Sequence, residues 1–319
     1  MSNPRTLSKI IVRTLSRTVD NAVLLTLLVI LIVGTYALWD TWQVYAAADV
    51  STYQQYKPEV DDTESFDELR AINPDVMGWI TIYDTMIDYP MVKPTKDNDE
   101  YMSRNPKREF ESSGSIFLDV KNASDFSDFN TIIFGHHMSE RKMFGDIDLF
   151  LEQSFFNSHQ YGNLFYSGQN HGLEIVAICE VAAGDQVVYM PGVKEEAQKQ
   201  AYIRYLQDRA KFWRDGTNVT TNDHIVILST CSADITNGRF VLVGKILDHE
   251  VANPFPDEVR TTDARIDFVN RLQVYLGRPV WQWALFMLLL IMLMYLLYRL
   301  SRANDKRRYE KKQKEKESE

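Results

Sequence analysis

Charged and apolar positions divide this chain into two uncharged stretches with a long, strand-punctuated region between them. Residues 22–38 carry no charge and approach the roughly 20 residues that a bilayer-crossing helix requires. A second uncharged run, residues 279–298, is of similar length and has Trp281 and Trp283 near one end, where interfacial anchors sit. Between the two, short apolar segments bounded by turn residues predict strands over 78–83, 86–92, 116–119, 131–134, 164–166, 173–181, 225–230 and 239–246.

One short helical pattern precedes that series and two interrupt it. Ser65 and Glu68 fit a capping box that opens a short helix, with Asn73-Pro74 as its stop. Residues 144–156 form a modest helical candidate. The 194–215 segment is longer and presents Ala201, Tyr205, Ala210, Phe212 and Trp213 at near-helical intervals before Gly216 ends it. Many short strands with one inserted helix predict a mainly β, closed or nearly closed barrel. Residues 40–63 read as a polar, helical stalk leading to it.

Charge supplies an orientation. The first 22 residues carry a net +3 and residues 299–319 a net +4, which leaves about −16 for the remainder of a chain whose total is −9. Basic flanks belong on the cytoplasmic side, so both termini are expected inside and the acidic middle outside. An acidic domain of this kind is unsuited to nucleic acid, whose phosphates require a basic face. A cleavable signal peptide is the competing reading of the first run, but its apolar core exceeds the usual h-region, which favours an uncleaved anchor.

The chemistry concentrates in HIVILSTCSADITNGRFVLVGKI, residues 224–246. Ile225, Ile227, Ser229 and Cys231 share one face of a strand. Asn237-Gly238 supplies turn chemistry, and a hairpin brings Arg239 near Cys231. A thiol beside a guanidinium has its thiolate favoured. The other cysteine, Cys179, lies in an apolar run and reads as a core residue, which makes a disulfide with Cys231 unexpected. Upstream, NTIIFGHHMSERKMFGD places His136 and His137 at a strand end, pointing to opposite sides. No acidic or cysteine neighbour completes a metal set there, and no GxSxG, Walker or HExxH pattern offers a rival chemistry.

The order of GHH, LSTC and Arg239, together with INPDVMGWITI, TMIDYPMV, SGSIFLD and MFGD, resembles the sortases, specifically class B, over roughly residues 65–247. The resemblance implies an eight-stranded sortase-type β-barrel with N-terminal helices and a long inserted helix, here flanked by two transmembrane helices. It also implies a cysteine transpeptidase with Cys231 as nucleophile, His136 as acid–base group and Arg239 as support for the oxyanion. Ser229, Thr230 and His137 are the candidate substrate-binding residues, His137 having a structural role as its alternative. No cofactor and no metal are expected. The implied partners are secreted surface proteins or pilins with a C-terminal sorting signal, and an amine acceptor that is either a cell-wall precursor or a pilin lysine. The C-terminal span departs from the usual class B plan.

The expected organisation is a cytoplasmic N-terminus (1–21), a span (22–39), the stalk (40–63), the catalytic domain (64–250), a juxtamembrane segment (251–278), a second span (279–298) and a basic tail (299–319). The setting is a two-pass protein of a Gram-positive plasma membrane. A non-catalytic, membrane-tethered peptide-binding barrel is the reading from another class.

Overall fold

The computed structural model describes residues 4–58, 63–138, 141–231 and 238–255, with scattered helical positions between 286 and 303. The chain forms two compact units, one of residues 44–258 and one of residues 1–43 with 259–319.

Among the described residues of the first unit nine strands follow one another: β1 (Val76–Ile82), β2 (Asp88–Val92), β3 (Ile116–Leu118), β4 (Asn130–His136), β5 (Tyr161–Tyr166), β6 (Gln169–Ala182), β7 (Ala210–Trp213), β8 (Ile225–Cys231) and β9 (Gly238–Ile246). The sheet order β5-β1-β2-β3-β4-β8-β9-β6 closes on itself through β5–β6 pairing, which makes an eight-stranded barrel. β7 is a ninth strand outside the ring. Fourteen-residue β6 is long enough to pair with β5 through 169–174 and with β7 through 177–179, while β9 runs along its other edge.

Barrel closure puts Ile80, Met91, Ile133, Ile178, Leu228 and Leu242 in one interior cluster. The outer face of β4, β8, β9 and β6 is also buried. Ile132, Cys179, Ile225, Ile227 and Val241 pack there against Tyr202, Ile203 and Leu206 of helix α4 (Glu196–Arg209), the fourth helix after α1 (Pro4–Ala47), α2 (Glu64–Ile72) and α3 (Gln153–Ser158). Burial on both faces explains why β8 reads as a continuous apolar run. Each such side chain contributes about 1.5–3 kcal/mol by leaving water. α2 covers a third cluster, with Phe66 and Leu69 over Val76, Trp79, Phe117 and Phe165.

Several local expectations are corrected. The predicted 194–215 helix stops at Arg209, and Ala210–Trp213 turns into β7 because its backbone finds a sheet edge on β6. The buried face of α4 is Tyr202, Ile203 and Leu206, whereas Ala201 is exposed. α2 begins at Glu64 with Thr63 as its N-cap and no side-chain cap hydrogen bond, so Ser65 does not cap it. The 144–156 candidate divides into a 3-10 segment, Gly145–Leu151, and α3. After α1 the stalk consists of two single 3-10 turns, Val50–Thr52 and Gln54–Tyr56.

Thr18–Ala47 of α1, all but its last turn in the second unit, is a helix of 30 residues, long and apolar enough to cross a membrane, and among the described residues it is the one helix with that property. Most of the second apolar run, 279–298, lies outside the described residues, as do the juxtamembrane segment from residue 256 and the basic tail from residue 304.

Candidate active site

Strands β4, β8 and β9 lie side by side and carry the three chemical residues at neighbouring ends. β4 and β8 are parallel, and their register runs from Asn130↔Ile225 to His136↔Cys231. β8 and β9 are antiparallel, pairing Ile225 with Lys245 through Ser229 with Val241. The described register ends at Ser229↔Val241; the Thr230 hydroxyl donates to the Phe240 carbonyl at 3.2 Å just beyond it, and Arg239 lies at the start of β9, at the end of the sheet where Cys231 ends β8. Adjacent strands are about 4.8 Å apart, so β8 holds its terminal cysteine between the histidine strand and the arginine strand. Residues 232–237, which include Asn237 of the predicted hairpin turn, lie outside the described residues.

Gly135 explains how His136 reaches this position. A Cβ at Gly135 would stand 2.5 Å from Ile116 Cδ1 and 2.7 Å from Phe144 Cδ2, so only glycine lets the strand end settle on those side chains. His136 Nε2 lies 2.7 Å from the Met102 carbonyl oxygen. A carbonyl can only accept, which puts a proton on Nε2. His137 turns the other way: its Nε2 meets Asp148 Oδ2 at 2.5 Å, and its backbone bridges to Met143.

A cleft of about 620 Å³ opens along this face, and His136 and Arg239 both line it. Its remaining walls include Asn98, Met102, Phe117, Asp119, Phe134 and Tyr189. Phe134 packs between Phe117 and Tyr189, with ring centroids 5.4 and 6.1 Å away. Ser229 is buried, and its hydroxyl is 2.9 Å from that of Tyr189. Thr230 is also buried, one residue further along β8. His137 is not among the lining residues. The half-buried Arg239 guanidinium is 3.5 Å from the Gly238 carbonyl.

Sequence patterning missed Asn98, Met102 and Tyr189, which sit in no predicted strand or helix, and gave no chemical role to Asp119 at the end of the predicted 116–119 strand. Tertiary contacts hold them in place. Asp185 accepts from the amides of Val187 and Val188 and from the Tyr205 hydroxyl of α4. Burial opposes ionisation of Asp185, but those hydrogen bonds outweigh it and hold its carboxyl below the usual range. Tyr202 donates to the Val188 carbonyl and Asn130 to the Met190 carbonyl, so α4 and β4 together hold Tyr189 over the cleft. On the opposite wall Asn98 donates to Asp119 at 2.8 Å.

The second cysteine is chemically silent. Cys179 is fully buried against the Leu206 carbonyl, and burial pushes its thiol up to about 12. No cluster of three metal-ligating side chains exists among the described residues.

The chain is 35% identical to sortase B of Listeria monocytogenes over 182 residues, which are 56% of this chain and 73% of that protein. This chain belongs to the class B sortases. Two crystal structures of the family superpose on it: a sortase B from the Type II pilus of Streptococcus pneumoniae, 44% identical, with a TM-score of 0.51 over 58% of this chain and 99% of that one, and a Streptococcus pyogenes class B sortase involved in pilus biogenesis, 34% identical, with a TM-score of 0.52 over 57% and 97%. No family model matches the chain. Membership makes this class B sortase a cysteine transpeptidase, and its eight-stranded barrel is the sortase fold.

Proposed function

We propose that Cys231, His136 and Arg239 are the catalytic residues, a reading carried by the His136↔Cys231 register and by the shared cleft of His136 and Arg239. The Cys231 thiolate attacks the carbonyl carbon of a threonine in a C-terminal sorting signal. The Arg239 guanidinium stabilises the oxyanion with donors that never lose their charge. As the C–N bond breaks, His136 gives its proton to the departing amine, leaving a thioester on Cys231. An incoming amine then attacks the thioester, His136 takes up its proton, and Cys231 leaves as the thiolate, which restores the starting state. No cofactor is needed, because nucleophile, acid–base group and oxyanion donor all come from side chains.

Ser229, buried beneath the cleft, would act on substrate through its hydrogen bond to Tyr189, which lines the groove; Thr230 and His137 would support it from β8 and from the end of β4. The acceptor we favour is a lysine of a growing pilin chain, because the 44% identical relative is a sortase of a pilus and the 34% identical one is involved in pilus biogenesis. Its substrates are then pilins and other secreted proteins with a sorting signal. Attachment to a cell-wall amine is the outcome that would replace this reading.

For location, we propose a two-pass protein of a Gram-positive plasma membrane with both termini cytoplasmic and the catalytic domain, 64–250, outside. The basic flanks support that orientation. An apolar cleft of about 480 Å³ lined by Leu24, Leu31 and Leu38 of α1 and by Leu289, Leu293 and Leu296 supports a second span beside the first. Proteolysis of intact protoplasts should remove the barrel and spare an epitope fused after Glu319; digestion of that epitope would overturn the topology. Incubation with peptides that hold threonine at the cleavage position and random residues around it should give a Cys231-linked thioester released by hydroxylamine. Failure to detect any such adduct would refute the assignment of the nucleophile. Cells with the intact enzyme should form covalent pilin ladders, and exclusively monomeric wall-linked product would exclude the pilin lysine.

A further inference from the structure

The segment that follows the two histidines is tied to the last turn of α1, which lies in the barrel unit. Lys142 is nearly buried, its side chain 12% exposed, and its ammonium contacts the Tyr45 carbonyl at 2.6 Å and Asp49 at 3.1 Å. Tyr45 is in the final turn of the helix, where carbonyls lack intrahelical donors and a cation is favoured. Next door, the Tyr89 hydroxyl accepts from the Met143 amide at 3.0 Å and donates to the Ala48 carbonyl at 3.0 Å. Arg141 forks onto buried Asp146 at 2.7 and 2.9 Å.

These ties hold an unfavourable backbone. Arg141 and Met143 have φ of 62° and 54°, the left-handed region that side chains avoid. Such conformations persist where the surroundings over-determine them. The held segment feeds directly into the catalytic strand end: Phe144 N donates to the His136 carbonyl at 3.0 Å, and Met143 bridges to His137.

We propose that Lys142 is a positioning residue for His136, clamping the end of α1 to residues 142–144 so that the imidazole stays level with Cys231. This rests on the assignment of His136 as the group beside the nucleophile. Charged groups around the two ends of the chain of contacts are Asp49, Arg141 and Asp146 at Lys142, and Arg239, Asp119, Lys121 and Asp185 along the cleft of His136. Among the described residues the ion-pair partner of Lys142 is Asp49, away from the cleft, so a change at Lys142 reaches the thiol through the backbone rather than by direct charge.

The test is the pH dependence of Cys231 alkylation by iodoacetamide, followed by mass spectrometry on the full chain in detergent. Cys179 serves as an internal unreactive thiol. An imidazolium beside a thiol favours the thiolate, so His136→Ala should move the profile to higher pH. Lys142→Ala should move it the same way, with about a tenfold loss of reactivity at pH 7 for each unit moved, and Lys142→Arg should restore the wild-type profile. If His136→Ala leaves the profile unchanged, the assignment of His136 fails and the inference with it. If His136→Ala shifts the profile but folded Lys142→Ala does not, the positioning role alone is overturned. Should Lys142→Ala fail to fold by circular dichroism, Tyr89→Phe, which removes one hydroxyl from the same clamp, decides by the same two criteria.

Discussion

His136 and Cys231 are register partners at the C-terminal ends of two parallel neighbouring strands. Their backbones are therefore held at the interstrand spacing of about 4.8 Å by a ladder that extends seven pairs deep into the barrel wall. Parallel strands of this kind cannot be joined by a tight turn. Here the connection from β4 to β8 carries α3, β5, β6, α4 and β7, and that long excursion also builds the wall of the cleft that holds Tyr189.

Replacement of the two cysteines should separate their roles. Cys231→Ala is expected to leave a folded protein that forms no thioester. Cys179→Ala removes a buried sulfur and should cost about 1–2 kcal/mol in urea unfolding, as a small core truncation does, while retaining the thioester. Mass spectrometry of the acyl-enzyme distinguishes the two, and equal loss in both folded variants would show that the nucleophile is misassigned.

His136→Ala should lower turnover by about 10²–10⁴-fold and Arg239→Ala by about 10²–10³-fold, the usual contributions of an acid–base group and an oxyanion donor. Arg239→Lys should recover little, since an ammonium lacks the planar fork. His137→Ala, which breaks the contact with Asp148 away from the cleft, should chiefly lower thermal stability. A larger kinetic loss in folded His137→Ala than in His136→Ala would reverse the two roles.

Gly135→Ala should be damaging far beyond its size. The added methyl would meet the Ile116 and Phe144 side chains at 2.5 and 2.7 Å and push the end of β4 off its seat. Overpacking of this kind costs about 1–3 kcal/mol, and the displaced imidazole should reduce kcat more than it raises KM. Wild-type kcat in a destabilised Gly135→Ala protein would show that strand position and catalysis are uncoupled.

Acid should release a tie at the other end of the barrel. Asp223 accepts from the Thr220 amide at 2.6 Å and its hydroxyl at 2.8 Å, and pairs with Lys245 on β9 at 2.9 Å. Burial works against its ionisation, but Lys245 and Thr220 prevail and hold the carboxyl below its ordinary value. A depressed carboxylate contributes stability above its unfolded pKa and loses it as pH falls through the folded one. Asp223→Asn should therefore be less stable at pH 7 by about 1–2 kcal/mol, with the gap closing as the wild type is titrated below the usual carboxylate range. Urea midpoints at pH 7 and pH 3 measure this; an undiminished gap at pH 3 would rule out the carboxylate as its source.

Much of the candidate site's placement was legible in local sequence because short motifs report local geometry. Period-two patterning placed Ile225, Ile227 and Ser229 on one strand face, and buried Cys179 follows from the apolar run around it. The GHH glycine stands where only hydrogen fits between Ile116 and Phe144. The long uncharged stretch near the N-terminus became a helix because uninterrupted apolar residues without proline favour that conformation and no sheet edge competes for them. By contrast, Ala210–Trp213 continued a helical spacing in the sequence yet pairs with β6, since an open sheet edge satisfies its backbone better than another helical turn. Asn98, Met102 and Tyr189 approach His136 and Ser229 from segments 34 to 40 residues distant, and spacing over such lengths carries no periodic signal. Local sequence by itself determined the strand faces, the apolar N-terminal helix and the residue types available for thiol chemistry, because those depend on neighbours within a few positions. Only barrel closure decided that β4 would lie parallel to β8 with His136 level with Cys231, because that pairing joins strands across nearly a hundred intervening residues and is stabilised by burying both faces of the wall at once.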